Sequence, residues 1–142
     1  MPNGKTHRNF NIVVLLFLMV ILVSELSNTL VWFFIGGYLA GIFLINPDLD
    51  LRFSSGKKNW KILGFIWIPY SWIFKHRGIS HNILFGTLTR LIYLAIVGTI
   101  VLALAERIFN CSIIIPYSQN FIFALLGLWF SDFLHIFLDK LA

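Results

Sequence analysis

Charge is scarce in this chain: only 12% of its 142 residues are Asp, Glu, Lys or Arg. That is about half the share in an ordinary soluble domain, and it leaves too few charged groups to cover a water-facing surface. Cysteine is nearly absent. The lone Cys111 excludes an internal disulfide and any cluster of thiolate ligands. Amphipathic periodicity, internal repeats and low-complexity segments are also missing, which excludes a coiled coil, a solenoid and a disordered linker. The segment Ser24 to Thr29 has no A-x-A-like cleavage site and a second apolar run follows at once. The apolar run from Ile12 to Val23, preceded by Lys5 and Arg8, therefore reads as a retained first helix rather than a cleaved export signal.

What is present is apolar length. Apolar residues make up 58% of the chain, in uncharged runs at 9–24, 26–47, 62–74, 91–105 and 108–131, several close to the roughly 20 residues that span a bilayer. The expected fold is all-α: one membrane-embedded domain over 1–142, a helical bundle with four transmembrane helices and one short interfacial or re-entrant segment. The helices are placed at about 9–24, 30–45, 83–104 and 119–141, after a polar arm at 1–8. Gly37 and Gly41 form a G-x-x-x-G pair suited to close helix packing. Residues 46–61 form the main loop. The 62–74 run is short, contains Pro69, and carries Trp67, Tyr70 and Trp72, which favours the headgroup level. Arg90, two turns into its helix, either snorkels to the interface or pairs with an aspartate.

The net charge of +5 (11 basic minus 6 acidic) comes from lysines and arginines between apolar runs, so no nucleic-acid partner is expected. With four crossings, Lys5, Arg8, Arg52, Lys57, Lys58, Lys61, Lys75, Arg77 and Lys140 share one side and Arg107 stands on the other. That bias places both termini in the cytoplasm.

All four histidines and all four aspartates fall on that same side: His7, Asp48, Asp50, His76, His81, Asp132, His135 and Asp139. Asp132, His135 and Asp139 lie three and four apart, on one helix face. Asp48 and Asp50 share a face if their segment is extended. In KHRGISHN, Lys75 to Asn82, His76 and His81 flank Gly78, a residue suited to a turn. Ser80 is also a fair N-cap, so His81 could simply open a helix. His7 lies in the polar arm, where solvation is as good a reading as ligation. Mixed imidazole and carboxylate donors suit a divalent metal, zinc first, with manganese or iron as alternatives.

These segments carry a resemblance. PNGKTH at 2–7, PDLDLR at 47–52, Trp67 and Trp72 ahead of KHRGISH, and the closing Asp132-x-x-His135 together resemble a family of metal-binding bacterial membrane proteins frequent in cyanobacteria. More distantly, the HRG-x-S-H motif is similar to that of inner-membrane metal-dependent hydrolases. The order His7, Asp48 or Asp50, His76, then His135-x-x-x-Asp139 is similar to that of the helical zinc-dependent phospholipase C and nuclease superfamily. The chain has only one H-x-x-x-D, which departs from that superfamily's full three-metal pattern.

The resemblance implies metal binding. The residues support one or two ions at the cytoplasmic end of the bundle, in the inner membrane of a bacterium, plasma or thylakoid. On the enzyme reading, Asp50 or Asp132 takes a proton from water and Arg77 steadies an anionic lipid or phosphoester substrate at the bilayer surface. The other reading is a non-catalytic ion, structural or handled in transit.

Overall fold

The computed structural model describes residues 4–51, 54–74, 78–110, 112, 114 and 118–141, with Ser55 described by its backbone alone. Among the described residues six α-helices run in order: α1 Gly4–Glu25, α2 Asn28–Phe43, α3 Ser55–Asn59, α4 Trp67–Ile73, α5 Phe85–Phe109 and α6 Phe121–Leu141. Short 3-10 turns lie at Pro47–Asp50, Lys61–Ile66 and Ile79–His81. No strand occurs among the described residues. The all-α expectation is correct, and among the described residues four helices are long and apolar enough to cross a membrane.

The side chains are arranged inside out relative to a soluble protein. Phe17, Val20, Trp32, Ile100 and Ile108 stand exposed on the outer faces, while the buried set includes His7, Asp50, Arg90, Asp132 and His135. Apolar groups facing outward and polar groups facing inward are what a hydrocarbon solvent selects.

The most extensive helix pair is α2 with α6. Its closeness comes from glycine. A methyl carbon at Gly37 would lie 2.6 Å from Ala124 Cα, and one at Gly127 would lie 2.9 Å from the Tyr38 amide nitrogen. The G-x-x-x-G pair on α2 thus faces α6, as expected, with Gly127 answering from the other helix. Helix α1 closes this pair around Leu15, Val31, Ile35, Tyr38 and Leu134. The Tyr38 hydroxyl donates to the Asn11 carbonyl at 2.9 Å, which pins the start of α1 to α2.

A second core is aromatic. Leu49, Trp67 and Tyr70 are fully buried, packed by Trp60, Phe74, Tyr93 and Leu94. The 62–74 segment therefore forms a 3-10 turn followed by α4, both too short to span. Its aromatic groups divide. Trp67 and Tyr70 lock α4 to the 47–50 turn and α5, whereas Trp72 remains exposed. The loop read at 46–61 contains α3, whose end caps α2: Asn59 Nδ2 donates to the Phe43 carbonyl and Trp60 Nε1 to the Leu44 carbonyl, each at 2.8 Å.

Two boundaries depart from expectation. The first helix begins at Gly4, not Asn9, so His7 belongs to a helix and is buried. The helix read from Ile83 begins at Phe85 and is capped by Asn82, whose Oδ1 accepts from the amides of Leu84 and Phe85. Ser80 is drawn elsewhere, into the site below.

Candidate metal centre

Four pieces of backbone deliver donors to one end of the bundle: the first turns of α1, the 47–50 turn, the 79–81 turn and the last turns of α6. The start of α1, the end of α2 and the end of α6 meet there because these helices pack side by side. His7 Nε2 lies 3.2 Å from Asp139 Oδ1. His135 Nε2 lies 3.5 Å from Asp48 Oδ1 and 3.8 Å from Asp139 Oδ2. His81 Nε2 lies 3.9 Å from that same Asp48 oxygen and 3.8 Å from Asp139 Oδ2. The His7 and His135 rings stack with centroids 4.0 Å apart.

These spacings fit ligation. Donors held about 2.0–2.1 Å from a tetrahedral ion lie about 3.3 Å from one another. Two overlapping sets meet that requirement closely, His7 with His135 and Asp139, and Asp48 with His81 and His135, the ligand atoms of each set lying within 4.8 Å of one another. His135 Nε2 is buried and forms no hydrogen bond among the described residues. A neutral imidazole nitrogen facing two carboxylates with no proton to share is costly to bury, and a metal ion bound between them would remove the cost.

The two aspartates of PDLD do different things. They follow a 3-10 turn, not the extended strand that would align them, and Leu49 between them is anchored in the aromatic core. Asp48 turns to His81 and His135. Asp50, fully buried in its side chain, lies 3.3 Å from His81 Nδ1 and accepts a hydrogen bond from the Ser80 hydroxyl. A carboxylate on the far nitrogen of a histidine fixes the ring and its tautomer, leaving Nε2 to face an ion.

Asp132 stands one turn deeper and outside both donor sets. Its Oδ2 accepts from Arg90 Nη2 at 2.5 Å and from the Thr87 hydroxyl at 2.6 Å. Arg90 is wholly buried and also donates from Nη1 to the Ser80 carbonyl at 3.0 Å. Of the two readings open for Arg90, pairing with an aspartate is the one realised. The pair is linked through Ser80 to Asp50 and His81, so a buried charge on α5 braces the turn that carries a candidate ligand. Two isolated opposite charges in apolar helices were the signal available for it.

His76 and Arg77 lie outside the described residues, as does Lys75, and Gly78 has φ −84° and ψ −136°, outside the helical and extended regions. A cavity of about 50 Å³ adjoins the cluster, lined by His7, Asp48, Asp132 and His135 within and by Lys5 and Arg8 from α1. In the sequence these two cations stood out only as charges that set orientation, and Asn11 did not stand out.

Fold and site together define a bundle with helices of membrane-spanning length and a candidate histidine and aspartate metal centre at one end. The chain belongs to the family described as "Uncharacterized metal-binding protein (DUF2227)", whose model matches residues 2–142. It is also similar to an uncharacterized protein of Aquifex aeolicus (strain VF5), 52% identical over 59 residues, and that stretch covers 41% of each chain. No solved structure gives a significant match.

Proposed function

We propose that this protein is an integral membrane, metal-dependent hydrolase that acts on a phosphoester, free or carried by a lipid, at the cytoplasmic face of a bacterial inner membrane. The observation that carries the reading is the buried His135 Nε2, set 3.5 Å from Asp48 and 3.8 Å from Asp139 and beside a cavity lined by Lys5 and Arg8. Besides setting orientation, cations at the edge of the site suit an anionic substrate.

His7, His81, His135, Asp48 and Asp139 would hold one or two divalent ions, zinc first by donor chemistry. Such an ion supplies Lewis acidity toward a phosphoryl oxygen and acidifies a water. Asp50 keeps the His81 ring in register through Nδ1. Asp132 lines the cavity, and its Oδ1 has no hydrogen-bond partner among the described residues, so it can accept a hydrogen from an attacking water while Arg90 and Thr87 hold its other oxygen. Lys5 and Arg8 receive the substrate's anionic oxygens. The likeness of the His7 to Asp139 order to the zinc phospholipases supports the same chemistry, as does the HRG-x-S-H likeness to the membrane hydrolases.

A structural ion is the second reading. Five donors on four chain segments are enough to fill a tetrahedral shell with no position open to water.

Metal content of the detergent-purified protein, compared with His81→Ala and His135→Ala, tests the centre. At least one divalent ion per wild-type chain and loss in both variants is expected; unchanged content in both removes the centre. Incubating the metal-loaded protein with phospholipids and phosphodiester analogues tests the chemistry. Turnover that disappears in His135→Ala is expected, and inertness with the metal fully bound transfers the assignment to the structural ion.

A further inference from the structure

Helix α5 carries no histidine or aspartate and so gives the centre no imidazole or aspartate donor. Its buried residues nonetheless all serve segments that do. They are Gly86, Thr87 and Arg90, in its first two turns, while Ile92, Ile96, Ile100 and Ile108 stand exposed. A methyl carbon at Gly86 would lie 3.0 Å from the Ser80 carbonyl carbon, so α5 runs against the 79–81 turn at a distance only glycine permits. The Thr87 hydroxyl donates to Asp132 Oδ2 at 2.6 Å. Arg90 reaches both ways, from Nη1 to the Ser80 carbonyl at 3.0 Å and from Nη2 to that same Asp132 oxygen at 2.5 Å.

A buried ion pair is a poor device for stability. Desolvating two charges costs about as much as their attraction gains, and apolar residues of similar volume often do as well or better. Ionisable groups kept inside an apolar bundle therefore point to another use. Ser80 shows what it is. Arg90 holds its carbonyl, and its hydroxyl donates to Asp50, the carboxylate 3.3 Å from His81 Nδ1. The next residue is His81, whose Nε2 faces Asp48 and Asp139 at 3.9 and 3.8 Å. At the other end of the pair, Asp132 precedes His135 by three residues and shares its face of α6. One guanidinium thus joins the backbone that bears His81 to the helix that bears His135, and the two rings lie with centroids 6.4 Å apart.

We propose that Arg90 and Asp132 are positioning residues: they hold His81 at the separation from His135 at which one ion takes both imidazoles, and they contribute metal affinity in place of stability. Asp132 does this through Oδ2, the oxygen that Arg90 and Thr87 share. The proposal rests on the metal centre and not on the hydrolase reading.

The test compares the full-length wild type in nonionic detergent with the double variant Arg90→Leu, Asp132→Leu and with Arg90→Lys, which keeps a charge beside Asp132 but has no second arm for Ser80. The double variant should unfold no earlier than wild type. Its zinc affinity, by competition with a chelating dye, should nevertheless fall about tenfold or more, the loss typical of an outer partner of a ligand. Arg90→Lys should also bind zinc more weakly, and Arg107→Ala, at the far end of α5, should bind as wild type. A second readout needs no metal. The imidazole ¹⁵N shifts of His81, assigned with His81→Ala, should report one tautomer in the wild type and a mixture in the double variant, with those of His135 unchanged. The proposal is overturned if both Arg90 variants bind zinc within roughly threefold of wild type. It is overturned equally if the double variant unfolds as early as Arg90→Leu alone, which makes the pair a support of the fold. A wild type that binds no metal removes the centre and this proposal together. Turnover enters neither readout, so loss of the hydrolase reading leaves this result standing.

Discussion

Asp48 and Asp50 are two residues apart and have the same functional group, yet they have different surroundings and different work. Asp48 offers an oxygen to His81 and His135, while Asp50 contacts His81 from behind and takes the Ser80 hydroxyl. Asp50→Asn keeps the shape and removes the charge that orients His81. Zinc affinity, measured by competition with a chelating dye, is expected to fall 10–100-fold, the usual effect of losing such a partner; Asp48→Asn, which removes a donor, should fall further. Equal losses would deny Asp50 its separate role. Arg90 and Asp132 make a second case. Removing one member of a buried pair strands the other, at a cost of about 3–5 kcal/mol. Arg90→Leu alone should therefore destabilise more than Arg90→Leu combined with Asp132→Leu, as read from denaturant unfolding in detergent. Of the eight candidate donors read from residue type, His7, Asp48, His81, His135 and Asp139 come together in the structure, Asp50 and Asp132 stand behind them, and His76 lies outside the described residues. Their individual roles were not legible in the sequence, because those depend on which oxygen meets which nitrogen across separations of 30 or more residues.

Among the elements, α2 and α6 set the frame and glycine sets their distance. Tyr38 and Phe34 backbone atoms occupy the place a side chain at 127 would need. Gly127→Val should push the two helices apart, shift His135 away from Asp48 and reduce both thermal stability and bound metal; retention of full metal content would show that the site tolerates a looser frame. The span lengths were legible from uncharged runs alone, since hydrocarbon thickness imposes them. Helix starts were less so. Residues 4–8 looked like an arm because they are polar, but the contact of Asn11 with Tyr38 and of His7 with Asp139 carries the helix down to Gly4. The 47–50 turn was equally hidden, because four residues of alternating polarity suit a strand as well as a 3-10 turn until Leu49 finds its aromatic pocket.

At the scale of the whole molecule, the centre ties together segments that otherwise touch little. Helix α5 is buried only at Gly86, Thr87 and Arg90, and packs against α6 through its opening turns. An ion shared by the α1, 47–50, 79–81 and α6 donors adds its binding energy to folding, about 2.7 kcal/mol when free metal exceeds the dissociation constant a hundredfold. Chelation should lower the unfolding midpoint and raise amide exchange first in the 79–81 turn, with zinc restoring both; an unchanged exchange pattern would count against a shared ion.

Uncharged runs near bilayer length determined that this chain forms helices long and apolar enough to cross a membrane, because hydrocarbon thickness sets their length. The chemistry of its donors also followed from residue types, since imidazole and carboxylate without thiolate favour the same few metals in any fold. Only the tertiary structure decided that Asp132 belongs to Arg90 and that Asp50 stands behind His81. Those assignments rest on close packing between distant segments, where a turn of one residue exchanges a ligand for its support.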